Sequence, residues 1–327
     1  MTASAAFSYI VPIRLASGDS EPPGLTEYLR KVSEWCDDVI VVDGSPEVVR
    51  SVNARRWAGR LRLLTPDPAH ACLNGKVAGV LSGIDQARHE RIVIADDDVR
   101  YDRDALLRTV ALLADHDLVR PQNYFSPLPW HAAWDTARSL LNRGTVGVDF
   151  PGTLAVRRSV LRTAGGYDGN VLFENLELIR TVRAHGGRIF SPLDLYVRRE
   201  PPSARRFLSQ RTRQAYDDFA IPGRMTVWLG ILPALAGLTS RHRTRPWLGA
   251  ALGAMAIAER GRRRADGDRR FPPVATLLAP VWVLERSCCA WLAVLQRVII
   301  GGTRYGGGVI RVAAHSERAL RRAAACP

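Results

Sequence analysis

The first half of the chain alternates short apolar runs with amphipathic stretches, a pattern typical of β-strands followed by α-helices. Apolar runs rich in β-branched residues predict strands at residues 7–13, 39–42, 61–64 and 91–95. Helical spacing between these runs predicts helices at 25–36, 47–58 and 76–89. Weaker patterns predict later strands at 117–120, 154–156 and 188–190, and helices at 130–142 and 174–185. The alternation predicts an α/β fold with a mostly parallel central sheet that helices cover.

The pattern changes near residue 220, where uncharged apolar stretches alternate with arginine-rich connectors. The stretches cover residues 225–240, 247–258, 271–284 and 288–295, and the connectors cover 241–245 and 260–270. Each stretch is shorter than the roughly 20 residues that cross a bilayer straight, so we expect a membrane hairpin or helices in the membrane plane. The alternative is a buried helical subdomain. We therefore predict a catalytic domain at 1–221 and a helical membrane-associated region at 222–327.

The net charge of +14 changes the picture of the partners, because it suits nucleic acid, an anionic membrane or phosphorylated substrates. We exclude nucleic acid, since the chain has neither zinc-finger spacing nor an aromatic RNA-binding signature. The five cysteines form no CxxC pair, which indicates reduced thiols in a cytoplasmic setting. The N-terminus has no basic region followed by a long apolar run, so we expect no signal peptide. Together these features predict a protein of the cell membrane whose catalytic domain faces the cytoplasm.

The candidate chemistry begins with three consecutive carboxylates, Asp96, Asp97 and Asp98, directly after the apolar run at 91–95. We call them the acid triplet. A parallel strand delivers such residues to the carboxyl edge of the sheet, where open α/β sheets bind ligands. Three adjacent anions repel each other, and hard divalent cations bind carboxylate oxygens. The sequence therefore predicts a metal site beside a phosphate-bearing substrate.

Two further candidate binding residues lie at the ends of predicted strands or helices. Asp43 follows the apolar run at 39–42, so it is placed to accept hydrogen bonds from a base or ribose; alternatively it forms the turn or caps the next helix. Lys76 lies in the first turn of the helix that Asn74-Gly75 opens. There it can meet a phosphate beside free backbone N–H groups, or be an ordinary solvent-exposed charge.

These motifs occur in an order that resembles the family 2 glycosyltransferases, which have the glycosyltransferase A fold. The segments that carry the resemblance are VPI at 11–13, VVDGS at 41–45, NGK at 74–76, ADDDVR at 95–100, GTLAVRR at 152–158, GGY at 165–167, FENLEL at 173–178, GGRI at 186–189 and QRTR at 210–213. The resemblance spans about residues 7–220. Its DDDVR segment is most similar to the ceramide-glucosyltransferase-like branch.

The resemblance implies a donor site and a reaction. Its nucleotide- and donor-binding residues would be Pro12, Asp43, Lys76, Asp96, Gly152, Thr153, Gln210 and Arg213. Asp96 and Asp98 would bind a divalent metal, Mn²⁺ or Mg²⁺, on the donor diphosphate. The implied reaction is inverting transfer of a sugar from a nucleoside-diphosphate sugar, with a UDP-sugar favoured, to a hydroxyl of a lipid, lipid-linked or saccharide acceptor.

The chain departs from the family pattern at two positions. The acid that usually serves as catalytic base is replaced by Asn175, so Glu174 or Glu177 must serve or the enzyme is inactive. The two glutamates lie three residues apart and share a helix face, and we favour Glu174 as the base. Glu177 is otherwise an ordinary helix acid. Gln214 stands where the family has the tryptophan of its QxxRW element.

Other interpretations remain open at this point. Asn175 motivates a catalytically silent nucleotide-sugar-binding protein of the same fold. A sugar-phosphate nucleotidyltransferase is a further alternative, although residues 11–20 contain a single glycine instead of a glycine-rich, lysine-bearing loop. Trp130 and Trp134, four residues apart, share a helix face and either stack on a ligand or pack in the core.

Overall fold

The computed structural model describes residues 5–16, 21–59, 61–240 and 245–325. Its strands are β1 Ala5–Ile13, β2 Cys36–Asp43, β3 Arg62–Leu64, β4 Arg91–Ala95, β5 Val99–Arg100, β6 Leu118–Val119, β7 Gln122–Phe125, β8 Thr153–Arg157, β9 Ile189–Phe190, β10 Tyr196–Arg199, β11 Thr303–Tyr305 and β12 Gly308–Ile310. Its helices are α1 Leu25–Trp35, α2 Glu47–Trp57, α3 Gly75–Gln86, α4 Arg103–Ala111, α5 Trp130–Thr145, α6 Arg158–Thr163, α7 Glu174–Ala184, α8 Ala204–Tyr216, α9 Pro222–Ser240, α10 Arg245–Arg263, α11 Pro273–Leu277, α12 Ala279–Ile300 and α13 Glu317–Ala325.

The central sheet contains seven strands in the order β3-β2-β1-β4-β8-β6-β9. β1 pairs in parallel with β2 and β4, and β8 pairs antiparallel with β4 and β6. This mostly parallel sheet separates two apolar cores, one containing Phe7 and Leu29 and the other Ile10 and Val80. Strands with helices on both faces are buried on both faces, which explains why their sequences are continuous apolar runs rather than alternating ones.

The expected strands and helices all occur, with ends that differ by a few residues. The sequence patterns missed a three-stranded sheet of order β5-β10-β7, the hairpin of β11 and β12, and four helices, α4, α6, α8 and α13. The missed strands have two to four residues each and carry charges at Arg100, Arg198 and Arg199. Such segments are too short and too polar to show the period of two that identifies a strand.

The C-terminal helices pack against α5 and α8 of the sheet domain. Two glycines make the contact between α5 and α10 close: a Cβ on Gly144 would lie 2.1 Å from the oxygen of Ile257, and one on Gly261 would lie 2.0 Å from the oxygen of Leu140. A buried cluster joins Leu140 to Ala258, Phe271 and other residues of these helices. The apolar stretches after residue 220 therefore share a core with α5.

The described residues bear on the predicted membrane helices, the first arginine-rich connector and the cysteines. Within the described residues, no helix combines the length and apolar character that a membrane crossing requires. The connector predicted at 241–245 lies outside the described residues except for Arg245, and so does Cys326. The four described cysteines, Cys36, Cys72, Cys288 and Cys289, are free thiols, as their spacing predicts.

Candidate active site

The acid triplet lies where β4 ends, at the carboxyl edge of the sheet. The backbone N–H of Asp96 donates to the carbonyl of Gly152, 2.9 Å away, so the first residue of the triplet is tied to the start of β8. The side chains of Asp96 and Asp98 are 22% and 24% exposed, so both carboxylates reach the protein surface at this edge. The strand end predicted from the sequence is therefore confirmed as the position of these acids.

Lys76 reaches the triplet from the first turn of α3. The side chain of Asn74 caps this helix by accepting from the Lys76 N–H at 3.2 Å, which places the lysine at the helix start. Its Nζ lies 2.5 Å from Asp96 Oδ1 and 2.8 Å from Glu174 Oε1. Burial lowers the pKa of Lys76, but the two carboxylates outweigh burial and raise it above its ordinary value. Lys76 is therefore a charged bridge between the triplet and α7.

Arg199, which the sequence patterns did not single out, binds the other end of the triplet. Its Nε and Nη2 donate to the two oxygens of Asp98 at 3.0 and 2.6 Å, and Nη2 lies 3.6 Å from Asp96 Oδ2. β10 pairs antiparallel with β5, in a register that sets Arg199 opposite Val99. Gly152 makes room for this pair, because a Cβ there would lie 2.7 Å from Arg199 Cζ and 2.8 Å from Asp96 Oδ2.

The middle residue of the triplet has a different environment. Burial, together with the charges of Asp98 and Asp96, raises the pKa of Asp97 to about 6. A carboxyl with this pKa is still mostly ionised at pH 7, so the cluster holds four carboxylates, Asp96, Asp97, Asp98 and Glu174, against two cations, Lys76 and Arg199. Two negative charges therefore remain, and a divalent cation would neutralise them.

The donor atoms suit a divalent cation that shares its coordination with a substrate. Among the described residues no group of three or more His, Cys, Asp or Glu is arranged around one ion. Asp96 and Asp98 nevertheless offer hard carboxylate oxygens side by side. Mg²⁺ is usually held by one or two carboxylates together with substrate phosphates and water. The pair therefore fits such an ion with substrate oxygens completing the coordination.

The remaining predicted donor residues lie in different surroundings. Asp43 is fully buried, and its oxygens accept from Ser45 N and Asn53 Nδ2 at 2.9 and 2.8 Å, as its turn-forming alternative predicts. The Thr153 hydroxyl is also buried and donates to the carbonyl of Ile94 at 2.7 Å.

Pro12 and the two residues of the QRTR segment lie outside these contacts. Pro12 faces α3, where its Cβ lies 3.0 Å from a Cβ built on Gly79. The Arg213 guanidinium lies 5.1 Å from the centre of the Tyr305 ring. Gln210 is half-buried on α8. The structure thus joins Lys76, Asp96, Asp98 and Gly152 in one network of contacts around the triplet. Pro12, Gln210 and Arg213 lie outside that network.

The acids and the amide of α7 have distinct roles in the packing. Asn175 donates from Nδ2 to the carbonyl of Pro151 at 3.0 Å, which joins α7 to the loop before β8. Glu177 is fully buried, and its oxygens accept from the backbone N–H of His315 at 2.7 Å and pair with its Nδ1 at 2.9 Å. Of the two glutamates, Glu174 is the one that contacts the triplet's lysine.

A cavity of about 160 Å³ borders this cluster, and Arg199 belongs to both. We call it the arginine cavity. Its lining residues are Arg138, Asn142, Phe150, Phe173, Arg199, Gln214, Asp217, Arg224, Trp228, Trp282 and Arg286. Sequence reasoning found Gln214 as a departure from the family but missed Asp217, whose signal was the acidic pair Asp217-Asp218 after QRTR. The cavity places a polar, cationic space next to the acids.

Other residues that the sequence singled out are structural. Trp130 and Trp134 form an edge-to-face pair with centroids 6.4 Å apart, and Trp130 also contacts Phe207. Asp149, in the loop before β8, likewise accepts from Arg138, Ser139 and Asn142 at 2.6–2.7 Å. These contacts hold α5 against its neighbours rather than line the acid triplet.

Comparison with solved structures shows the fold to which the chain is similar. The mannosyltransferase PcManGT from Pyrobaculum calidifontis, in complex with GDP-Man and Mn²⁺, is 21% identical, with a TM-score of 0.55 over 91% of this chain and 88% of that one. S. aureus TarS 1-349 is 16% identical, with a TM-score of 0.42 over 64% of each chain. M. tuberculosis glucosyl-3-phosphoglycerate synthase is 18% identical, with a TM-score of 0.40 over 61% of this chain and 73% of that one. The likeness to the first shows the α/β glycosyltransferase A fold.

The family follows from the sequence model "Glycosyltransferase like family 2", which matches residues 39–217. The chain belongs to this family and is a glycosyltransferase. Comparison with curated proteins gave no match. The family match confirms the resemblance to family 2 glycosyltransferases, though not to a particular branch, and sets aside the nucleotidyltransferase alternative.

Proposed function

We propose that this protein transfers a sugar from a nucleoside-diphosphate sugar to an acceptor hydroxyl with inversion. The observation that carries the proposal is the convergence of Lys76, Asp96, Asp98 and Arg199 at the carboxyl end of β4. A diphosphate needs positive charge as its bond to the sugar breaks, and these cations lie where that charge would develop. The mostly parallel sheet supplies the edge at which such ligands bind.

A divalent ion, Mn²⁺ or Mg²⁺, would be held by Asp96 and Asp98. When bound, it supplies Lewis-acid stabilisation of the charge on the leaving diphosphate. Lys76 and Arg199 orient the same two carboxylates through the contacts described above. Gly152 keeps the space between Arg199 and Asp96 free of a side chain. These residues therefore bind and orient the donor, and a UDP-sugar remains the favoured class.

Glu174 is the proposed base that removes the acceptor proton. The acceptor oxygen then attacks the anomeric carbon, and the nucleoside diphosphate leaves from the opposite face of the sugar. Glu174 begins α7, and its Oε1 lies 2.8 Å from Lys76 Nζ, which holds the carboxylate in place beside the donor site. Glu177 lacks this position, since its buried oxygens are bound to His315.

A lipid or lipid-linked acceptor and an anionic membrane surface on the cytoplasmic side complete the proposal. Its support is a set of exposed apolar side chains on α9 to α12: Val227, Leu248, Leu252, Leu277, Leu295, Val298 and Ile299. Exposed arginines such as Arg245, Arg260 and Arg263 accompany them. Apolar burial and basic charge together give reversible binding in the plane of an anionic membrane. The similarity of the DDDVR segment to the ceramide-glucosyltransferase-like branch also favours a lipid.

A thermal-shift screen of UDP, GDP, ADP and CDP, each with and without Mn²⁺, tests the donor site. We expect one nucleotide to raise the melting temperature in a metal-dependent way, and expect Asp98→Asn to abolish that shift. Asp115→Asn, which changes an exposed acid directly after the turn that follows α4, serves as the matched control. Metal-independent or absent shifts would refute the donor site.

The silent-binder alternative retains one supporting observation, the amide at position 175. Turnover of the selected donor by wild-type protein and by Glu174→Gln decides between the two. Nucleotide binding without any turnover in the wild type would favour the silent binder. Turnover that Glu174→Gln leaves unchanged would refute the base assignment, whereas a loss of at least a hundredfold in kcat with binding retained would support it.

A further inference from the structure

The arginine cavity carries more cationic side chains than the donor cluster alone requires. Four arginines line it, Arg138, Arg199, Arg224 and Arg286, and Asp217 is the one acidic residue among its described lining. Arg224 and Arg286 pair with the same carboxylate, that of the fully buried Asp218. One carboxylate shared by two guanidinium groups leaves a net positive charge at this wall of the cavity.

Unsatisfied buried polar atoms also concentrate there. Eleven buried side-chain polar atoms of the described residues have no hydrogen-bond partner, and four belong to cavity residues: Asp217 Oδ1, Trp228 Nε1, Trp282 Nε1 and Arg286 Nη1. Arg286 is only 4% exposed, so its free Nη1 is a charged donor held inside the protein. Buried polar groups in native proteins are nearly always paired, so a cluster of unpaired ones indicates a missing ligand or solvent.

The carboxyl of Asp217 does not cancel the positive charge at neutral pH. Burial raises its pKa to about 8, with the charges of Glu174 and Asp218 adding to burial, and Arg286 and Arg213 opposing it. The neutral carboxyl therefore neither repels an anion nor forms an ion pair with Arg286. At pH 7 this wall of the cavity therefore has two guanidinium groups, of Arg224 and Arg286, for the one ionised carboxylate of Asp218, and Arg286 Nη1 has no partner.

We propose that the arginine cavity is the acceptor pocket of the proposed glycosyltransferase, and that it takes a hydroxyl compound carrying a phosphate group. The assignment of the cavity to the acceptor rests on the proposed function. Its structural basis is Arg199, which lines the cavity and also binds Asp98 of the acid triplet. The free donors come from two helices, Trp228 from α9 and Trp282 and Arg286 from α12. A tetrahedral phosphate offers oxygens in several directions, which suits donors that a planar carboxylate could not all reach.

The rings of the cavity suit the carbon skeleton of the same compound. Phe150 and Phe173 form one edge-to-face pair, with centroids 4.7 Å apart, and Trp228 and Trp282 form another at 5.6 Å. A cavity of about 150 Å³ holds a molecule of about the size of benzene, so there is room for a phosphate with a short polyol. A free polyol phosphate and a lipid phosphate headgroup share this chemistry.

Binding experiments on the full chain test the pocket without requiring turnover. Glycerol 3-phosphate and glycerol are titrated by calorimetry, and flotation is measured with vesicles of phosphatidylglycerol or phosphatidylcholine. The variants are Arg286→Lys, which keeps the charge but removes the free Nη1 donor, and Trp228→Phe, which keeps an aromatic ring but removes Nε1–H. Arg108→Gln, a surface arginine paired with Asp194, is the matched control.

We expect the phosphate compound to bind at least tenfold more tightly than glycerol, and each cavity variant to reduce that binding at least fivefold while Arg108→Gln does not. Dependence on Arg286 with glycerol 3-phosphate supports a free acceptor, and dependence with phosphatidylglycerol vesicles alone supports a lipid headgroup. Equal binding of phosphate and neutral probes, or equal effects of Arg286→Lys and Arg108→Gln, would overturn the pocket. Nucleotide-dependent melting shifts in the same variants report separately on the proposed function, and a misfolded variant loses them too.

Discussion

Asp217→Asn is expected to stabilise the protein at neutral and alkaline pH. Asp217 lies in the 3-10 turn after α8 and contributes an oxygen that is buried without a partner. Burial first, then the charges of Glu174 and Asp218, raise the pKa of this carboxyl from 3.8 to about 8. The folded protein therefore retains a proton that the unfolded chain has already lost. Asparagine has nearly the same shape and cannot ionise.

The size of the effect follows from linkage. Between about pH 4 and pH 8 the folded state binds the extra proton, so the free energy of unfolding falls as pH rises through that window. One pKa unit is worth about 1.4 kcal/mol, which sets an upper bound of about 4 kcal/mol at pH 7. The side chain is partly exposed, and solvent reduces the penalty, so we expect about 2 kcal/mol.

Urea unfolding at pH 5 and pH 8 measures this difference for wild type, Asp217→Asn and the exposed control Asp115→Asn. We expect the wild type to lose more stability between the two pH values than Asp217→Asn does, by about 1–2 kcal/mol. Asp115→Asn is expected to follow the wild type. Parallel pH profiles for wild type and Asp217→Asn would refute the claim that this carboxyl is held neutral by the cavity.

Three further substitutions test the site and the fold. Gly152→Ala places a Cβ 2.7 Å from Arg199 Cζ, and we expect nucleotide binding measured by calorimetry to weaken at least tenfold. Glu177→Gln removes the charge that accepts two bonds from His315, and is expected to cost about 1–3 kcal/mol of stability in urea unfolding, with kcat unchanged. Gly261→Ala forces α10 away from α5 and is expected to lower the melting temperature in calorimetry by several degrees, since overpacking costs about 1–3 kcal/mol.

Each of these substitutions has a control or a contrary result. Gly223→Ala and Gly253→Ala add a Cβ to helices where no other atom lies within 4 Å, so both should leave binding and stability intact. Gly253 shares α10 with Gly261, which makes that pair of variants a matched one. A fall in kcat for Glu177→Gln without loss of stability would instead make Glu177 the base.

The central sheet was predictable because its strands are buried on both faces. β1, β2 and β4 are continuous apolar runs bounded by turns, and their order along the chain alternates with helices, which is enough to expect parallel pairing. The sheet of β5, β10 and β7 was not predictable, since its pairing joins Val99 to Arg199 across about one hundred residues. Nothing local to the segment Arg198-Arg199-Glu200 distinguishes it from charged surface.

From the sequence, only those site residues could be placed that lie directly at the end of a strand or the start of a helix. The acid triplet and Lys76 each mark the end or start of an element, so the topology alone brings them to one edge. Asp43 and Thr153 occupy equivalent edge positions, yet their side chains turn into the protein and bind Asn53 and the carbonyl of Ile94. Side-chain direction at a strand end depends on packing partners distant in sequence, which no pattern along the chain encodes.

The paired cations explain how this fold holds three adjacent acids at one strand end. Lys76 from α3 and Arg199 from β10 approach the triplet from different elements, and each binds a different outer carboxylate. Asp97, which has neither partner, is the residue whose pKa rises to about 6, because burial and the charges of Asp98 and Asp96 disfavour its ionised form. A divalent ion held by Asp96 and Asp98 would take over part of the charge compensation that Lys76 and Arg199 supply. The N–H groups of Lys76 and Arg199 would then be available to phosphate oxygens. The cations that stabilise the acids are thus the groups that would meet the diphosphate.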